Sequence, residues 1–410
     1  MKKLLSVALG LLAVVFAASA QNTLETLKAH PELLTGTDYV CPMDKLDATP
    51  APAGYKPFYI SHYGRHGARY AYQAINYDMI GDALAKADKE DNLTEFGKDF
   101  KVRFDRLYPQ VEHRAGDLSR VGWQQQQDLS ALTYATYPEV FPDGARVRAV
   151  SSPSLRSTMT MSSYCLGIQK QNPKLVVTES VADVNLPAIL PLDSRNPFPD
   201  DNYQRTPVPF KETRDQYAAR NLDSHALLCK LFKNPAGVVK RSGEYELASY
   251  LYFFASGMNS IDTDLDFMDL FSFEEKLAVW RIDNFDFYTG AWRHHLGYKP
   301  VVDDIKARAN ECIASGGHGA DLRFAHDYTF LALLMCLDVD GYGREASAPE
   351  EIEDICQSYR VPMGANLYFV LYRKDGSDDI LFKVLLNGEA AHLPLPDTLW
   401  PYYHWSDFNK

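Results

Sequence analysis

The sequence predicts an α/β protein with a mostly helical lobe set into it, and three observations carry that expectation. Short β-prone runs alternate with helical periods over most of the chain. Residues 211–292 show helical periodicity with few strand signals. Between them, Asp183 to Phe210 carries Pro187, Pro191, Pro197, Pro199, Pro207 and Pro209, a density that marks a long irregular connection.

In chain order, the strand-like runs are Lys56–His62, Arg146–Ser151, Lys174–Thr178, Asp321–Ala325, Asn366–Arg373 and Ile380–Leu386. Each is rich in β-branched, aromatic or large aliphatic residues. Leu222 through Phe232 reads as one helix, Tyr245–Phe254 as another and Phe273–Phe287 as a third. A further apolar helix is expected over Phe330–Leu337. The expected division puts 21–70, 120–185 and 300–410 in the α/β domain, with 71–119 and 186–299 forming the helical cap.

Residues 1–20 read as a signal peptide. Lys2 and Lys3 form a basic start, Leu4 to Ala18 is apolar, and Ala18-Ser19-Ala20 is a small-residue cleavage site. A periplasmic or secreted protein is therefore expected, with no membrane anchor, because no later apolar run reaches the ~18 residues that span a bilayer. Losing two lysines takes the formal charge from −12 to −14. Such acidity argues against nucleic acid as a partner, since that binding rests on neutralising phosphates. The six cysteines are far apart and form no Cys-x-x-Cys pair, so the sequence selects no disulfide pattern. For Cys165, Cys229 and Cys336, in apolar helical patterns, a buried free thiol is an equal reading.

The segment Arg65-His66-Gly67-Ala68-Arg69 should sit just past the carboxyl end of the first strand, where open α/β sheets bind ligands. Arginine forks match phosphate oxygens, glycine lets a backbone approach, and two fixed cations disfavour protonation of the histidine. A neutral imidazole beside a clamped phosphate is a nucleophile, which points to phosphoryl transfer through a phosphohistidine. The bland alternative is a set of solvated loop charges. Arg323 to Thr329 again runs from strand to helix, with His326 able to donate to a phosphoryl oxygen and Asp327 able to protonate a departing alcohol. Asp327 as a simple helix cap is the competing reading. A third strand–turn–helix, Arg146 to Ser157, offers Arg156 as another phosphate ligand, or else as a surface arginine.

With these residues in view, the chain resembles the histidine acid phosphatases, the branch of the histidine phosphatase superfamily that includes phytases. The resembling segments are Arg65–Tyr70, Gly116-Asp117-Leu118-Ser119 with Gly122, Ser151 to Arg156, and His326-Asp327. The resemblance implies a phosphoglycerate-mutase-like α/β domain with a helical insert and no metal or organic cofactor. It implies His66 as nucleophile, Arg65, Arg69, Arg156 and His326 as the phosphate clamp, and Asp327 as general acid. Tyr70, Asp269 to Glu275, Trp280, Asn284 and Tyr402 to Trp405 are similar to the multiple inositol polyphosphate phosphatases. That subgroup shows His-Ala-Glu where this chain has His326-Asp327. The implied substrate is a small phosphate ester, with inositol polyphosphates such as phytate favoured and a general acid phosphatase as the alternative. A catalytically inactive phosphate-binding protein is the third reading. Lys101, Arg103, Arg106, Arg114, Arg120, Lys211 and Arg214 are candidates to hold further phosphates, or are ordinary solvated charges. His294, His295 and His318 read as solvated.

Overall fold

The computed structural model describes residues 23–410, and the expected signal peptide lies outside them. Among the described residues, eight strands form one sheet in the order β3-β2-β4-β1-β5-β6-β7, with β8 pairing β6. They are β1 (Tyr55–Arg65), β2 (Arg146–Ser151), β3 (Val176–Ser180), β4 (Gly319–Ala325), β5 (Asn366–Lys374), β6 (Ile380–Leu386), β7 (Glu389–Ala390) and β8 (Tyr403–His404). Strands β1, β2, β3 and β4 run parallel, and β5 adds antiparallel to β1.

The buried parallel strands read as near-continuous apolar runs because both faces are covered. On one face Val147, Ala149, Leu322, Phe324 and Val370 pack with Met161 and Ile168 of the helix Leu155–Gln171 and Leu129 of the helix Arg120–Thr136. On the other face Phe369, Val384 and Leu331 belong to a cluster that continues into Phe100, Phe104, Leu247 and Phe254 of the helical region. The chain is thus mixed α/β, with many helices around a central sheet. Among the described residues, no helix is long and apolar enough to cross a membrane.

Several boundaries differ from expectation: β1 runs on to Arg65, so the Arg-His-Gly string begins inside the strand rather than past it, β3 is shifted to Val176–Ser180, and β4 starts two residues earlier, at Gly319. The run Leu222–Phe232 is not one helix: a helix Arg214–Asn221 ends, and Asp223 starts a short one, Ser224–Leu228, by accepting the Ala226 amide at 3.0 Å. The helix Phe273–His294 continues seven residues beyond the apolar pattern. The helix expected over Phe330–Leu337 spans Asp327–Leu337, because Thr329 Oγ1 accepts the His326 amide at 3.1 Å and closes the first turn. Of the thiols, Cys165 is buried as expected, whereas Cys229 is exposed and Cys336 half-buried, and all six are free.

Candidate active site

Strand register decides which motifs meet. In the parallel ladders Arg65 lies opposite Ala325, and Ser151 lies opposite Phe324. The chain leaves β1, β2 and β4 at one level, so His66, Ser152 and His326 emerge side by side at the carboxyl edge. The His66 amide donates to the Ala325 carbonyl at 3.0 Å and the Ser152 amide to Phe324 at 2.9 Å. A cavity of about 1030 Å³ at the amino ends of these strands, lined by Arg146, Gly319 and Asp321, holds none of the six expected site residues.

The loop after β1 is packed too tightly for side chains. A Cβ on Gly67 would lie 2.7 Å from the Gly122 carbonyl oxygen, and one on Gly122 would lie 2.1 Å from that of Ala68. The segment Gly116–Ser119 supplies this buttress. Ser119 Oγ donates to the Ala68 carbonyl at 3.0 Å and accepts the Gly122 amide at 3.1 Å, capping the helix Arg120–Thr136. Thr160 Oγ1 and Gln125 Oε1 accept the Gly67 and Ala68 amides. The Gly67 and Ala68 amides and the Ala68 carbonyl are thereby fixed.

His66 is only 2% exposed. Its Nδ1 lies 3.0 Å from the Gly67 carbonyl. A carbonyl only accepts, so Nδ1 carries the proton and Nε2 keeps its lone pair. Burial, then the charges of Arg65 and Arg69, hold the imidazole well below its ordinary pKa. The neighbouring His326 ring is 5.6 Å away. Arg156 Nη2 meets His326 Nδ1 at 3.4 Å, so Nδ1 accepts and Nε2 donates to Ser152 Oγ at 3.0 Å. Burial and Arg156 push the His326 pKa down to about 4.

Arg65 is buried. Its Nη1 donates to the Thr37 and Val361 carbonyls, and its Nη2 meets Asp327 Oδ2 at 2.9 Å. Arg69 reaches the Tyr70 carbonyl at 3.0 Å, and its Nη2 lies 3.9 Å from Asp38 Oδ1. Arg156 lies over the Tyr72 ring at 5.1 Å. The Nε of each of these three arginines is buried with no hydrogen-bond partner among the described residues. Three guanidinium charges converging on one buried imidazole make a local concentration of positive charge suited to an anion.

Asp327 does not cap its helix; His326 holds the cap position, and Asp327 Oδ1 accepts the Tyr328 amide at 2.8 Å. Burial raises its pKa, but Arg65 and Arg69 outweigh burial and the net shift is downward. All six expected site residues thus gather at one end of the sheet. Asp38 joins them unforeseen: its carboxyl, raised by burial against the pull of Arg69 and Arg65, faces the same cluster. Asp283 is a second unforeseen acid, pushed up to about 7 by burial and then by Asp38 and Asp286. Neither stands in a motif. Tyr72, three residues after Arg69, was not among the expected residues either, although its ring lies against both Arg69 and Arg156.

Most of the candidates for further phosphates are engaged elsewhere. Lys101 pairs with Asp105, Arg103 with Asp99 and Asp269, and Arg120 with Asp262. Arg106 and Lys211 are exposed. Arg114 meets Asp117 at 3.4 Å and also lies 4.3 Å from the Tyr70 ring centre. Arg214 rests over Tyr245 at 5.3 Å with its Nε buried and unpartnered among the described residues. The expected solvation of the other histidines is overturned for His295, which is buried and bonded to the Trp292 carbonyl, and for the half-buried His294, which pairs with Tyr203. His318 is half-buried against Arg373. Among the described residues, no cluster of His, Cys, Asp and Glu could hold a metal ion.

No family model matches the chain, and no curated protein matches it by sequence. Solved structures do. The Bifidobacterium longum multiple inositol polyphosphate phosphatase, in complex with inositol hexasulfate, superposes with a TM-score of 0.71 at 17% identity, over 91% of this chain and 96% of that one. The D. castellii phytase gives 0.61 at 14% identity, over 92% of this chain and 83% of that one. The Citrobacter braakii phytase gives 0.54 at 12% identity, over 86% and 96%. This chain has the fold of these phosphatases.

Proposed function

We infer that this chain is a histidine acid phosphatase, an exported phosphomonoesterase that works through a phosphohistidine. One observation carries the reading: the charges of buried Arg65 and half-buried Arg69 and Arg156 converge on a buried imidazole whose Nε2 is free to attack. The shared fold and the leader-like first 20 residues support it.

The reaction follows from these groups. Arg65, Arg69 and Arg156 take the phosphoryl oxygens, lowering the charge that would repel a nucleophile. His66 Nε2 attacks phosphorus, the ester P–O bond breaks, and Asp327 protonates the departing alcohol oxygen. Water then attacks the phosphohistidine, its proton passes to the Asp327 carboxylate, the N–P bond breaks, and phosphate leaves. No step calls for a metal or organic cofactor. His326 holds Arg156 through Nδ1, which makes it a positioning group whose Nε2–H is shared with Ser152.

Inositol polyphosphates such as phytate are the favoured substrates. The fold shared with a phosphatase seen with inositol hexasulfate supports this choice, as do Arg114, which lies over the ring of Tyr70 next to Arg69, and Arg214, whose charge acts on Asp283. A second reading, a general acid phosphatase on small esters, is favoured by the pairing of Lys101, Arg103 and Arg120 with acids. Rates on phytate and on a small sugar phosphate separate the two. Acid-quench trapping of labelled phosphate on His66 tests the mechanism itself; labelling that survives His66→Ala would refute it.

A further inference from the structure

We propose that a groove beside Asp327 receives the hydrocarbon part of a leaving group, so that the protein also hydrolyses monoesters of phosphate with alkyl alcohols. The inference rests on the phosphomonoesterase reading and adds a substrate class to it. The groove has a volume of about 470 Å³. One wall is the first turn of the helix Asp327–Leu337, through Tyr328 and Ala332; Leu190 and Leu192 face it, with Ala291 and Tyr298 between. Tyr328 follows Asp327 directly. Asp193 in the lining also feels the charge of His326, which sets the groove next to the catalytic cluster, and the groove follows the helix for about 6 Å at 1.5 Å per residue.

Its chemistry selects the occupant. The ionisable acid and imidazole along it are already engaged: Asp193 binds Arg195 through both oxygens at 2.9 and 2.8 Å, and His294 Nδ1 meets the Tyr203 hydroxyl at 2.9 Å. Burial, with Arg205 and Arg293, keeps the His294 pKa below its ordinary value. A second phosphate would find no unpaired cation among the lining residues. What remains is apolar surface, with Leu192 37% and Tyr328 44% exposed. Leu192 is held in place, since its methyl groups lie 2.9 Å from where a Cβ on Gly297 would sit. An alkyl chain extending from the ester oxygen would cover this surface, and its burial would favour the transition state as much as the bound ester. The bond changes are those given above, with the alkanol leaving after protonation by Asp327.

The test is phosphate release by the full chain from monoalkyl phosphates, methyl through octyl, below their micellar concentrations. We expect kcat/KM to rise with chain length, by up to roughly fourfold per fully buried methylene, and then to level off. Leu192→Asp should flatten the series while leaving methyl phosphate hydrolysis unchanged, and Leu192→Met should preserve the slope. A flat wild-type series, or a slope untouched by Leu192→Asp, overturns the proposal. If methyl phosphate were not hydrolysed at all, the phosphomonoesterase reading would fail separately. Calorimetry would then decide the groove: octyl phosphate binding more tightly than methyl phosphate, and losing that advantage in Leu192→Asp, supports it, whereas equal binding refutes it.

Discussion

Arg65 Nη2 and Asp327 Oδ2 stand 2.9 Å apart although 262 positions separate them in the chain. The contact ties the proton donor to the clamp and sets a conflict, because the arginine favours the ionised carboxylate that cannot donate. A bound phosphate shares the arginine's charge and eases that bias. The donor form also becomes more populated as pH falls toward the lowered Asp327 pKa, while His66 stays neutral. Turnover of esters with poor leaving groups should therefore be fastest in mild acid and decline toward neutrality. A rate that climbs into alkaline pH would remove Asp327 from the role of donor.

Asp327→Asn keeps the shape of the site but removes the proton. On alkyl or inositol esters it should slow kcat by about 10²–10⁴-fold, the usual worth of a general acid. Nitrophenyl phosphate, whose leaving group needs little protonation, should lose much less. Equal losses on both would show that Asp327 serves binding alone.

Arg69→Lys keeps the charge but loses the fork. A charge-assisted bond is worth about 1.5–3 kcal/mol, so kcat/KM should fall roughly ten- to a hundredfold. Asp38→Asn, which frees Arg69 from its 3.9 Å partner, should change KM with little effect on melting temperature. Steady-state kinetics on both variants checks the pair.

Two buried histidines should make the fold acid-sensitive. His62 is pushed down to about 3 by burial and then Arg323, and His326 to about 4 by burial and then Arg156. Unfolded, each takes a proton near pH 6.5; folded, neither does until pH 3–4. Stability is therefore full above pH 6.5 and is lost as pH falls, by about 1.4 kcal/mol per pH unit for each histidine. His62 lies among Tyr164, Phe324 and Tyr368, so His62→Phe should weaken the pH dependence of chemical denaturation midpoints. An unchanged slope would mean that His62 does not carry it.

Asp283 runs the other way. Its folded pKa of about 7 means that folding takes up a proton between pH 4 and 7, so stability from this group is lost as pH rises through 7. Asp283→Asn should be more stable than the parent at pH 8, with the gap closing toward pH 4. Thermal melts at the two pH values read it directly.

The sequence by itself determined which segments become the main strands, that many helices surround them, and which residue types are candidates for the chemistry, because these are local. β-prone runs, apolar periods and an Arg-His-Gly string report on neighbours along the chain. Tertiary structure alone decided who meets whom. Parallel register brought Arg65 level with Ala325 and so joined His66 to Asp327. Close backbone packing made Gly67 and Gly122 mutual requirements. Folding also paired Lys101, Arg103 and Arg120 with acids, and brought Asp38 to Arg69 from a stretch with no motif. A charge's partner depends on distance in space, and composition along the chain carries no measure of that distance.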